Sequence, residues 1–329
     1  MKKLLSVALI LVLVLSLGAT AFAVATDPEG NEYSDVSTAT FTVKYTAVSG
    51  TQPSETFTFS EFTCTGVTDA AAGVTAANAP KPAKIADLTL DSSTPSGTAT
   101  ISLPAYESVG IYTYTFHQNV SSTAGVTYYK DDAEQTMKLV VSVLQGDDGK
   151  VRVAAVHVEN GSSDQDKTGE IENSYEAHSL KISKTVSGNQ GDKTKEWNFK
   201  VTLTAPEGET VRSLVRYGDA AIDPGNGWTT QTVSFVLTHG NYITFENIPV
   251  NTTYTIIEEE SGQDGYTTTG EVTEAKALTA DAEETIANKK NISPETGITL
   301  DSLPYIVIAV LVVAAIAVMV IRKRRSDED

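Results

Sequence analysis

The sequence predicts an all-β protein, on three observations. Apolar and polar residues alternate with period two in short runs along the chain. The composition is rich in threonine and carries 13 tyrosines against 3 methionines, which favours extended chain. No long amphipathic helical pattern competes. The 329 residues suffice for two or three domains, and 40% hydrophobic content suffices for real cores. A formal charge of -18, from 24 Lys plus Arg against 42 Asp plus Glu, argues against a nucleic-acid partner. A single cysteine, Cys64, rules out a disulfide within the chain and any multi-cysteine metal site. Outside the cell, such a chain needs another staple.

In chain order, Lys2 and Lys3 precede an apolar run from Leu4 to Leu17, and Ala21-Phe22-Ala23 offers small residues where a signal peptidase reads. Residues 1–23 are therefore expected to be a signal peptide; the alternative, a retained anchor, is disfavoured because the run is short for a spanning helix. Strand patterns follow at Phe41 to Val43, Phe57 to Phe59, Tyr112 to Phe116, Leu139 to Leu144, Val151 to Val158, Phe199 to Leu203, Val233 to Leu237 and Tyr254 to Ile256. Gln145 to Lys150 reads as a hairpin loop, Ala205-Pro206-Glu207-Gly208 as a turn, and Ala70 to Ala83 as a surface loop. One strand pattern closes at Ile171 to Tyr175 and another opens at Leu180 to Lys184, so two sandwich modules are expected, over residues 38–176 and 178–290.

Tyr305 to Ile321 is uninterrupted and apolar, long enough at about 1.5 Å per residue to cross the hydrocarbon layer. The basic cluster Arg322, Lys323, Arg324 and Arg325 holds the tail, 322–329, in the cytoplasm and places the preceding chain outside. Just upstream stands Ser293-Pro294-Glu295-Thr296-Gly297. Pro-x-Thr-Gly, then a spanning helix, then a basic tail resembles the cell-wall sorting signal of Gram-positive surface proteins. With Pro294 in the motif, the resemblance implies that a sortase cysteine attacks between Thr296 and Gly297, giving an acyl-enzyme that an amine resolves. Ser293 departs from the usual leucine; the plain alternative is a single-pass anchor. The mature chain would be residues 24–296, secreted and cell-wall anchored by way of a membrane-bound precursor.

Three residues of the second module carry chemistry. Leu180, Ile182 and Lys184 share one strand face, as do Tyr254, Ile256 and Glu258, and Ile286 with Asn288, so three polar groups face one interior. Burial disfavours the charged forms of amines and carboxyl groups alike. A free Lys184 amine could attack the Asn288 carboxamide while a protonated Glu258 polarises the carbonyl and relays protons, losing ammonia and leaving a Lys-Asn isopeptide bond. That is one turnover within one molecule, so the protein is not read as an enzyme. The alternative is an ordinary surface pair of Lys184 and Glu258. Leu180-x-Ile-x-Lys-Thr-Val-x-Gly188, Pro249-x-Asn-x-x-Tyr254-x-Ile-x-Glu258 and Ile286-Ala-Asn288 resemble collagen-adhesin B-type domains. The resemblance implies an immunoglobulin-like sandwich with its first and last strands cross-linked.

Gly110-x-Tyr112-x-Tyr114-x-Phe116-x-Gln118 and Ile171-Glu-Asn173-Ser-Tyr175 in the first module resemble T-antigen-type backbone pilins of streptococci. Gln118 stands where that family has glutamate. Phe41, Val43 and Tyr45 share a face, so the inward lysine position holds Tyr45, and Lys44 points away unless a bulge shifts it. An isopeptide is not expected here; if one formed, Lys44 would be the nearest lysine to Asn173. Cys64 admits a thioester with Gln118, but an unpaired strand cysteine is more often a small buried hydrophobe. His117, His157, His178 and His239 lack ligand spacing, so neither metal nor cofactor is expected. Two functions follow: a pilus shaft subunit joined by sortase to neighbouring subunits, or a monomeric wall-anchored adhesin joined to peptidoglycan and binding a host surface ligand. For the first, Lys167 resembles the acceptor lysine of T-antigen-type pilins in its placement.

Overall fold

The computed structural model describes residues 24–26, 32–129, 136–146, 148–159, 169–293 and 303–326. The expected signal peptide (1–23), Lys167, Pro294, Thr296 and Gly297 lie outside the described residues. The described strands run β1 (Val24–Thr26), β2 (Glu32–Ser34), β3 (Thr38–Ala47), β4 (Glu55–Phe57), β5 (Thr63–Thr68), β6 (Leu88–Leu90), β7 (Ser96–Ser102), β8 (Gly110–Phe116), β9 (Val126–Thr127), β10 (Met137–Gln145), β11 (Val151–Glu159) and β12 (Glu170–Tyr175). They continue as β13 (Ala177–Ser187), β14 (Trp197–Thr204), β15 (Val215–Tyr217), β16 (Ala220–Ile222), β17 (Thr230–Leu237), β18 (Tyr242–Pro249), β19 (Thr253–Glu258), β20 (Thr267–Thr269), β21 (Val272–Ala277) and β22 (Ala282–Lys289), followed by helix α1 (Leu303–Ser326).

Every alternating run expected to form a strand does so, except that the ladder of β4 stops at Phe57 and Phe59 makes an isolated bridge to Gln118. Short serine- and threonine-rich strands such as β5, β7 and β20 lack a strong apolar alternation and take their pairing from their neighbours.

Two sheets, ordered β11-β10-β8-β5 and β7-β3-β12-β9, share one core. Phe41, Val43 and Ile101 enter it from one sheet; Tyr114, Leu139 and Val141 enter from the other. Sheets β16-β15-β18-β13-β22-β20 and β17-β14-β19-β21 share a second core, with Leu180, Ile182 and Ile286 facing Trp197, Val201 and Ile256. Each large apolar side chain so buried contributes about 1.5–3 kcal/mol relative to exposure. One device recurs in both halves: an opening strand lies parallel to the closing strand, β3 with β12 and β13 with β22. Residues at these termini are therefore brought side by side from opposite ends of more than a hundred residues. Helix α1 extends the expected apolar span into the basic cluster, and its segment Pro304–Ile321 has a mean hydropathy of 3.0 with no surface buried against the rest of the chain.

Candidate functional site

The alternation along β13 buries Leu180, Ile182, Lys184 and Val186 on one side, and Lys184 is as inaccessible as its apolar neighbours. In the parallel ladder Lys184 lies opposite Ile286 and Val186 opposite Asn288, so Lys184 and Asn288 share a face two positions apart. Glu258 comes from the other sheet, at the end of β19, opposite Phe199. The structure brings all three together. The Lys184 ammonium and a Glu258 carboxylate oxygen form a short direct contact, and Asn288 Nδ2 donates to Glu258 Oε1 at 2.6 Å. Lys184, Glu258 and Asn288 are 0%, 1% and 0% exposed, which is incompatible with an ordinary surface pair.

Burial pushes the Lys184 amine below its ordinary value, outweighing the opposing pull of the Glu258 carboxylate, which bonds to it, and of Glu271 and Glu260. The amine lies 4.5 Å from the centroid of Trp197 and 5.4 Å from that of Phe199, aromatic walls that exclude water on the β14 side. These two residues were legible in principle, because Trp197, Phe199, Val201 and Leu203 alternate inward along β14. One detail differs from the sequence expectation. Glu258 faces the amide nitrogen of Asn288, and Asn288 Oδ1 is buried without a partner. The carboxyl group thus sits beside the atom that would leave as ammonia, with the carbonyl oxygen on the other side.

The first module shows the same strand geometry with different residues. Tyr45, fully buried, lies opposite Asn173 in the β3–β12 ladder, so the place that Lys184 takes opposite Ile286 falls here to the buried Val43 opposite Ile171, not to Tyr45 as the alternation suggested. No register shift interrupts β3, so Lys44 points outward and pairs with Glu170 at 2.5 Å. Asn173 Oδ1 accepts from Gln118 Nε2 and from the Tyr129 backbone N–H, both at 2.7 Å, and Asn173 Nδ2 donates to Gln118 Oε1 at 3.3 Å and to the Lys44 carbonyl at 3.2 Å. Gln118 and Asn173 meet in the interior; the Lys44 side chain does not join them. Cys64 is half-buried, with Sγ donating weakly to the Gly66 carbonyl, while the Gln118 amide is engaged by Asn173. Of the histidines, His239 Nδ1 accepts the Val186 N–H, and His157 and His178 contact Glu159 and Glu176.

Residues 178–291 match the model of a family described as a domain of unknown function (DUF7601). Over 244 residues, 67% of this chain and 69% of the relative, the sequence is 27% identical to a pilin of Streptococcus pyogenes serotype M1. The crystal structure of the Streptococcus pyogenes major pilin matches with a TM-score of 0.54 at 23% identity, covering 78% of this chain and 99% of that one. The chain is a homologue of that pilin. Over 129 residues this homologue is also 31% identical to the pilus tip adhesin Cpa of Streptococcus pyogenes, spanning 38% of its own length and 18% of the adhesin.

Proposed function

We propose that the protein is a shaft subunit of a covalently assembled pilus, and that an isopeptide bond between Lys184 and Asn288 ties the first and last strands of its second module. The observation that carries this reading is the buried contact of Lys184, Glu258 and Asn288 at the ends of parallel strands. The residues favour the reaction chemically. The free amine adds to Cγ of Asn288, a C–N bond forms, and the Cγ–Nδ2 bond breaks. Glu258 takes a proton from the attacking nitrogen and delivers one to the departing nitrogen, which leaves as ammonia. Closing the chain between residues 184 and 288 restricts the unfolded state by roughly 4–5 kcal/mol, by analogy with a disulfide. Reductants do not reverse it, and terminal strands so joined resist peeling under load.

In this reading residues 38–176 and 178–290 are two immunoglobulin-like modules. A leader directs secretion, α1 holds the precursor in the membrane, and sortase cleaves between Thr296 and Gly297. The Thr296 carboxyl then passes to an amine of the next subunit, with Lys167 as the acceptor, or to peptidoglycan at the base. Similarity to a tip adhesin keeps a wall-anchored adhesin as the second reading, but it spans only 18% of that adhesin, whereas the pilin match spans 69% of the pilin.

The intact mass of residues 24–296 tests the bond: loss of one ammonia is expected, and Glu258→Ala should retain full mass. An unchanged mass in the unaltered protein would refute the cross-link. A sortase-dependent ladder of high-mass species on cells distinguishes a shaft subunit from an adhesin, which gives a single wall-released band.

A further inference from the structure

Glu258 is the last residue of β19, and its backbone has an unusual support. Its neighbour Glu259 donates its N–H to the Asn198 carbonyl on the β14 side, so the Glu258 N–H faces the β21 side. There β21 pairs with β19 only as far as Val272 opposite Ile256, and no strand residue continues the ladder to Glu258. A side chain fills the gap. Glu271 Oε1 accepts the Glu258 N–H at 2.9 Å, and Glu271 Oε2 accepts the Ser261 hydroxyl at 2.6 Å. The Glu258 carbonyl accepts the Ser261 N–H at 3.2 Å, closing a turn directly after the strand. One carboxylate thus fastens both the residue that touches the reacting amine and the turn that follows it.

We infer that Glu271 is a positioning residue for isopeptide formation: it holds the Glu258 backbone so that the Glu258 carboxyl group lies between Lys184 and Asn288. The inference rests on the isopeptide reading above. Without the Glu271 acceptor the Glu258 N–H loses its partner at a strand end, and the carboxyl group gains freedom where proton relay requires a fixed geometry. Charge works the other way, because a second carboxylate near Lys184 favours the ammonium form over the nucleophilic amine. The two contributions separate by substitution. Glu271→Gln keeps an oxygen to accept the Glu258 N–H and removes the charge; Glu271→Ala removes both.

The test follows ammonia loss by intact mass in full-length chain made by cell-free synthesis in detergent micelles. Glu271→Ala should cross-link at least about tenfold more slowly than the unaltered chain, a factor equivalent to about 1.4 kcal/mol of barrier. Glu271→Gln should cross-link at least as fast as the unaltered chain. Equal rates for Glu271→Ala and the unaltered chain overturn the positioning role while leaving the isopeptide reading intact; absence of ammonia loss from the unaltered chain overturns that reading itself. Circular dichroism of Lys184→Ala with and without Glu271→Ala tests for a purely structural role. A folded single variant beside an unfolded double variant would assign Glu271 to folding and overturn the inference.

Discussion

Lys184 is buried among aromatic rings with one carboxyl partner, and removing that partner strands a charge in the core. A buried pair broken on one side typically loses about 3–5 kcal/mol. Glu258→Ala should therefore lower the urea midpoint beyond the loss of the cross-link itself, so that it unfolds more readily than Asn288→Ala. The pH dependence of Asn288→Ala, in which the amine stays free, follows from the depressed Lys184 value. The unfolded chain holds that proton more tightly than the folded chain does. The resulting cost is full at low pH and is relieved as pH rises through the folded value towards the ordinary 10.5. The urea midpoint of Asn288→Ala should rise with pH relative to Lys184→Met/Asn288→Ala, and a flat difference would count against desolvation as the cause. In the first module, Gln118 and Asn173 occupy acid and amide positions, while Val43, opposite Ile171 as Lys184 is opposite Ile286, fills the lysine position. Installing Val43→Lys with Gln118→Glu should add a second ammonia loss by mass.

At the scale of the strands, the closing edge of the second module is tied to its opening one beyond the ladder. After β13, Asn189 acts like one more strand residue: its Nδ2 donates to the Ile292 carbonyl at 2.8 Å and its Oδ1 accepts the Ile292 N–H at 2.9 Å. The Lys290 N–H reaches the Ser187 carbonyl at 3.1 Å. Gly188 makes this approach feasible, with φ at +95° and the Lys290 carbonyl oxygen 2.1 Å from where a Cβ would stand. Gly188→Ala should destabilise by more than about 1 kcal/mol and shift the denaturant midpoint accordingly, because both the backbone angle and the contact oppose a side chain. The strand faces here were legible from alternation alone. The Asn189 tie was not, because an asparagine after a strand pattern reads equally well as a turn residue.

Across the whole molecule, the two cores are joined by short polar contacts. Thr123 bridges Thr210 in parallel, with the Ala124 N–H on the Thr210 carbonyl at 2.9 Å and the Thr210 N–H on the Ser122 carbonyl at 2.7 Å. Thr51 donates its N–H to Asn247 Oδ1 at 2.8 Å and receives Asn247 Nδ2 on its carbonyl at 3.0 Å. Asn247 takes a positive φ of 65°, which asparagine tolerates better than most residues. Asn247→Gly keeps that backbone and removes the clasp, so the modules should unfold in transitions more widely separated by calorimetry than in the unaltered protein. Unchanged transitions would show that the clasp contributes nothing to coupling.

The sequence by itself determined the alternation of the principal strands, the inward set of Lys184 and the apolar span near the C-terminus, because each rests on short-range periodicity or composition. The same alternation placed Lys44 outside and Tyr45 inside. Tertiary structure alone decided which distant groups meet: Gln118 with Asn173, Glu271 with the Glu258 backbone, and Thr51 with Asn247. Those meetings depend on where two sheets face each other and where a ladder ends, and a hydrogen bond between residues far apart in the chain leaves no periodic trace in either segment.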